Sequence, residues 1–171
     1  MDIVAFDLEI ANEFPADGSE PDLSTLGISC AATWETDPSL SFSEPVEIKW
    51  RSWDTDEAGL YAEQMNAKEC KDLAEYLMRL SDKGHQIVTW NGNFAFQVLA
   101  HECHSQSHFD MCKAMAWGMY DPMLQFLTMY GFPVGLDKTA QGMSIGAKVG
   151  MTGAEAPILW RKSLEDQQRV L

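Results

Sequence analysis

Ile3-Val4-Ala5-Phe6-Asp7-Leu8-Glu9 sets two acids into a short apolar run that begins almost at the N-terminus. Such a run reads as a β-strand. The period of two then puts Asp7 and Glu9 on one face and Phe6 and Leu8 on the other. The apolar face demands a core. The acidic face sets two carboxylates side by side, and a hard divalent cation relieves their repulsion. A D-x-E pair alone is more often solvated on an exposed strand face than metal-bound, so its meaning depends on what the rest of the chain brings to it.

The remaining segments point to an α/β layer. Leu26 to Trp34 is an apolar, small-residue run suited to a buried strand, Asp37-Pro38 marks a turn, and Val46 to Trp50 alternates as a third strand. Asn66 and Glu69 make a capping-box-like start to a helix on which Cys70, Leu73, Leu77 and Leu80 recur at helical spacing until Gly84. Gln86 to Trp90 is a fourth strand. Helices are expected at Phe94 to Cys103, Phe109 to Met119, Pro122 to Tyr130 and from Leu164 onward, with a Gly-rich irregular stretch over 131–157 that holds a short helix after Asp137. Three closely spaced strands are expected to be antiparallel neighbours, and the fourth, reached through a helix, runs parallel to the first. A length of 171 residues suits one domain, residues 1–171.

Charge at first argues against nucleic acid. The formal net charge is −14, and phosphate binding rests on Lys and Arg. The distribution changes that inference. Residues 1–60 hold 14 acids and two bases, Lys49 and Arg51, whereas residues 131–171 hold four acids and five bases. Acids gathered at one site could hold divalent cations that recruit an anionic substrate; the plainer reading is a solvated acidic surface. No run approaches the ~20 apolar residues of a membrane span. The first residues are acidic where a signal peptide is basic, and four irregularly spaced Cys make no disulfide framework, so a cytoplasmic protein is expected.

A strand ending in Trp90-Asn91-Gly92 and turning into the aromatic-rich Asn93-Phe94-Ala95-Phe96 is where an α/β sheet presents ligand-facing groups. The same residues also suit a plain strand-to-helix turn with apolar core packing. IVAFDLE, followed about 80 residues later by VTWNGNFAFQVL, resembles the DEDD 3′–5′ exonucleases of the ribonuclease H-like superfamily. The stretches Gly131 to Asp137 and Gly146-Ala147-Lys148 through Ala156 to Trp160 are similar to the exonuclease domain of family B DNA polymerases. The resemblance implies a ribonuclease H-like mixed sheet with flanking helices. It also implies metal-dependent hydrolysis at the 3′ end of single-stranded DNA or RNA by two Mg²⁺ or Mn²⁺ ions, a clamp with centres ~3.5–4 Å apart. Asp7 and Glu9 would be the catalytic and metal-binding acids. Asn91 and Phe94 would shape the floor under the terminal nucleotide, and Trp90 or Phe96 could stack its base, with core packing the favoured role of Phe96.

Two departures qualify that expectation. The family's second motif, N-x-x-F-D, reads Asn91-Gly92-Asn93-Phe94-Ala95, and alanine ligates no metal. The third motif, a Tyr or His followed four residues later by Asp in a late helix, is missing: the last helix holds only Asp166, and it is read as incomplete. The chain is therefore expected to have negligible nuclease activity. The alternative is a module of the same fold that holds a nucleic-acid end or a protein without cutting. Asp121 is expected as a helix N-cap. His101, Cys103, His104, His108 and Cys112 invite a zinc reading, with His104, His108 and Cys112 on one helical face, but a solvent-facing helix end accounts for them better.

Overall fold

The alternation of the first strand organises the whole molecule. In a computed structural model describing residues 2–36, 45–145 and 151–171, strand β1 (Ile3–Ile10) buries Val4, Phe6, Leu8 and Ile10 and turns Asp7 outward. β1 pairs antiparallel with β2 (Ile28–Glu35), which pairs antiparallel with β3 (Val46–Arg51). Strand β4 (Gln86–Val88) runs parallel to β1, with Ile3 opposite Gln86 and Ala5 opposite Val88. The order is β3-β2-β1-β4, the mixed sheet expected from the sequence. The expected turn at Asp37-Pro38 and the segment Gly146-Ala147-Lys148 lie outside the described residues.

The crossover from β3 to β4 is helix α1 (Ala67–Asp82). Its start is fixed by a full capping box: the Asn66 side chain accepts from the Lys68 and Glu69 amides, and the Glu69 carboxylate accepts from the Asn66 amide. A cap of this kind is worth ~1 kcal/mol. The stripe Cys70, Leu73, Leu77 and Leu80 is buried against the sheet face that carries Phe6 and Leu8. Helices α2 (Gly92–Glu102) and α3 (Gln106–Gly118) share that core, with the Phe96 ring 5.5 Å from that of Phe6.

The opposite face is covered differently. Helices α4 (Pro122–Tyr130) and α5 (Leu136–Gly142) stand over Ala5, Asp7, Ala32 and Trp34. The short helix α6 (Ala156–Trp160) packs near β1, and α7 (Leu164–Val170) follows. Both are tied to the link after β3: the Trp160 indole N–H donates to Ala62 O (3.0 Å), and Gln167 bonds both the amide and the carbonyl of Tyr61.

Three elements differ from the sequence reading. β4 ends at Val88 rather than Trp90, because the Thr89 amide donates to Tyr120 O and the Tyr120 amide to Ile87 O, closing the sheet edge with a single parallel bridge. Helix α3 begins at Gln106, three residues early, after Ser105 at its cap position. Helix α6 begins in the last two residues of the stretch whose glycines predict irregular structure and runs on beyond it; Pro157 sits in its first turn, where a missing N–H costs nothing.

Candidate nucleic-acid interface

Because β1 and β4 are parallel, their carboxyl ends open at the same edge of the sheet, the usual place for ligand-facing groups. A cleft of about 330 Å³ lies there, lined by Asp7, Glu9, Trp90, Asn91, Phe94 and Ala95. All five residues singled out from the sequence as site residues therefore meet in one place, with Ala95 among them. Asp7 is exposed, and its Oδ1 accepts from the Leu8 amide (3.0 Å). Glu9 is half-buried beneath the loop at Gly153, where an added Cβ would stand 3.8 Å from Glu9 Oε2.

The β4–α2 turn is built for close approach. Asn91 takes a left-handed conformation (φ 56°), one of the few non-glycine types that tolerate it. Gly92 follows in a position where a Cβ would collide with the Met119 Sδ and the Thr89 methyl. Asp121 holds this turn from behind. Its buried carboxylate accepts from the Asn91 amide (3.2 Å), the Gly92 amide (2.9 Å) and the Met123 amide (2.9 Å). The expected N-cap of α4 is thus present, and the same side chain also pins the turn that presents Asn91.

The aromatic residues divide. Phe94 is half-buried, with Phe14 beside it at 6.1 Å. The Trp90 indole donates to Val134 O (3.2 Å), and its ring lies 5.8 Å from Phe126, so Trp90 joins the cleft to α4. Phe96 is 1% exposed and belongs to the core, the favoured of its two expected roles. Asp137, in the first turn of α5, lines the cleft and accepts from Gln141 Nε2 (2.9 Å). Sequence reading did not single it out, because nothing in its local pattern shows that α5 folds back over the D-x-E strand.

Among the described residues, no group of three or more His, Cys, Asp or Glu is placed to hold a metal ion. Asp7 and Glu9 therefore do not make a closed two-ion cage. Two carboxylates at an open cleft suit a hard cation such as Mg²⁺, which keeps several waters and is commonly bound through one or two carboxylates plus substrate phosphate. Ala95, 4% exposed, adds an apolar wall to the cleft.

The His/Cys cluster does not assemble. A turn separates α2 from α3, so His104 (φ 45°) lies off the helix that carries His108 and Cys112, and the three do not share one helical face. His108 Nε2 pairs with Glu75 (3.0 Å), and His101 meets the edge of Phe109. Cys103 and Cys112 are buried rather than solvent-facing. A shared hydrogen bond lowers the Cys103 thiol pKa and raises that of Cys112, whose burial raises it further. Among the described residues, no helix is long and apolar enough to cross a membrane.

No protein-family model matches the chain, and no curated protein matches it. In fold it is similar to part of the family B DNA polymerase from the hyperthermophilic archaeon Pyrobaculum calidifontis. The TM-score is 0.59 at 13% identity, over 99% of this chain and 22% of the polymerase chain. The chain spans about a fifth of that polymerase, and at this identity the likeness is one of fold.

Proposed function

We propose that this chain is a 3′–5′ exonuclease-type domain that receives the 3′ end of a single-stranded nucleic acid and does not cleave it. The observation that carries this reading is the convergence of Asp7, Glu9, Asn91, Phe94 and Ala95 in one cleft at the carboxyl ends of β1 and β4. Its fold likeness to part of a DNA polymerase agrees with a nucleic-acid role. Asp7 and Glu9 would hold a divalent cation, Mg²⁺ or Mn²⁺, which would supply the positive charge that draws a phosphate to an acidic site. Asn91, whose backbone amide is fixed by Asp121, would line the seat of the terminal nucleotide, while Phe94 would offer an apolar edge to a base or sugar. With alanine at position 95, the acid set that a two-ion clamp requires is incomplete.

A single-stranded oligonucleotide labelled at its 5′ end tests both halves of the reading. Binding should require Mg²⁺ or Mn²⁺ and weaken at least tenfold in Asp7→Ala, and the strand should stay uncut. Equal binding by the wild-type protein and Asp7→Ala would remove the metal-held end. Shortening of the oligonucleotide beyond the Asp7→Ala control would remove the claim that cleavage is lost.

A further inference from the structure

Lys49 and Arg51 are the two bases of the first 60 residues, and both stand on β3. Directly paired residues of antiparallel strands share a face of the sheet. Asp7 is opposite Ala32 and Ala32 opposite Lys49; Glu9 is opposite Cys30 and Cys30 opposite Arg51. Each candidate acid therefore has a cation in its own row, two strands away, or about 10 Å at the usual strand spacing. Trp50, between the two cations, turns to the other face and packs on Tyr76 of α1 (5.2 Å).

Among the described residues, neither cation is paired with an acid: the ion pairs there involve Lys68, His85, His108, Arg161 and Arg169. Lys49 is exposed. The half-buried Arg51 guanidinium lies 4.4 Å over the Tyr61 ring, and its buried Nε has no hydrogen-bond partner among the described residues. In a stretch with 14 acids, two such cations on the face of the candidate site form a local exception to the charge of the chain. Glu47 shares that face one row further on.

Between Asp7 and Lys49 this face is partly open at half-buried Ala32, whereas Cys30, between Glu9 and Arg51, is buried. A chamber of about 530 Å³ beneath α4 and α5 runs from Asp7 and Trp90 across Ala32 and Trp34 to Glu47 on β3. It shares Asp7, Trp90 and Leu136 with the cleft. Its walls are largely apolar, as a base-stacking path requires; on β3 it is lined by Glu47, and Lys49 and Arg51 follow along the same face of that strand, outside the lining.

We propose that β3 is a phosphate track: Lys49 and Arg51 bind the backbone of the single strand upstream of the terminal nucleotide at Asp7 and Glu9. This rests on the end-binding function proposed above. The occupant is nucleic acid because two cations without an acid partner among the described residues, on the face of Asp7 and Glu9 and beside an apolar chamber, match alternating phosphates and bases.

Fluorescence anisotropy of a labelled oligothymidylate in Mg²⁺, across a salt series, tests the track. Removing one phosphate-binding cation should lower the slope of log K against log[salt] by about 0.7 for a single strand. Lys49→Ala should show that reduction, and Lys49→Ala with Arg51→Ala about twice it. Lys83→Ala, at the end of α1 on the opposite sheet face, should leave the slope unchanged. Arg51→Ala can disturb packing against Tyr61, so Lys49→Ala, at an exposed position, carries the test alone if the double variant unfolds. Metal- and Asp7-dependent binding with an unchanged slope in Lys49→Ala would overturn the track and leave the function standing. A reduced slope in Lys49→Ala with binding indifferent to Asp7→Ala would support the track and overturn the metal-held end. An acidic peptide that binds as tightly as the oligonucleotide, or no oligonucleotide binding by the wild-type protein, would overturn the track.

Discussion

Asp121→Ala should unfold this protein more readily than almost any other single polar substitution. The Asp121 carboxylate is 6% exposed and receives three backbone amides: Asn91 and Met123 on Oδ1, and Gly92 on Oδ2. Without the bond from the Met123 amide a helix cap disappears, worth about 1 kcal/mol. Leaving the Asn91 and Gly92 amides without an acceptor costs roughly 1–3 kcal/mol for each that stays buried. With both amides buried the sum is on the order of 3–7 kcal/mol, a large part of the ~5–15 kcal/mol that holds a domain folded. Asp121→Asn separates the contributions. Its carbonyl oxygen can still accept from Asn91 and Met123, but its NH₂ group faces the Gly92 N–H as a second donor, so about half the loss should remain. Urea unfolding at constant m reads both changes as shifts of midpoint. A loss below about 1 kcal/mol for Asp121→Ala would refute the account, since that is no more than a surface cap alone provides.

Two further outcomes follow from the same neighbourhood and its core. Gly92→Ala places a methyl where the Met119 Sδ and Thr89 Cγ2 already stand, so it should cost about 1–3 kcal/mol of stability by overpacking, measured by thermal or urea unfolding; a neutral effect would mean that the Met119 chain simply swings away. Glu102 is 7% exposed, and burial pushes its carboxyl pKa up, against the pull of His104, the Gly27 amide and His101. A raised pKa means that the folded state holds this proton more firmly than the unfolded chain does. The associated stability is present below the usual carboxylate range and lost as pH rises through the folded pKa. Glu102→Gln should therefore gain stability over the wild-type protein at pH 7 and lose that advantage near pH 4; an equal difference at both pH values would sink the assignment to Glu102.

Local periodicity carried much of this fold. β1 was legible because its two faces differ so sharply, with Phe6 and Leu8 against Asp7 and Glu9, and the α1 start because Asn66 and Glu69 satisfy each other's backbone within four residues. Strand order followed from connection lengths, which leave few alternatives once three strands precede a helix. What escaped was set by contacts across distance. β4 stops at Val88 because Tyr120, more than 30 residues later, takes the Thr89 amide. Cys103 and Cys112 looked exposed beside three histidines, yet the α2–α3 packing turns both thiols into the core.

The candidate site divides along the same line. Its acids and its Asn-Gly turn were legible as motifs, since each is a local pattern with a chemical reason. The parts that make those motifs a site were not. Asp121 reads locally as the cap of α4 and nothing more, yet the geometry of Asn91 depends on it as fully as that of the helix does. Asp137 reads as a first-turn acid of a short helix, and only the path of the chain brings it over Asp7 and Glu9. Net charge hides position in a related way. A total of −14 says nothing of rows, and it is the register of β1, β2 and β3 that aligns Asp7 with Lys49 and Glu9 with Arg51. A protein can be acidic overall and still present a phosphate with alternating partners, provided its few cations stand on the strand where the backbone passes.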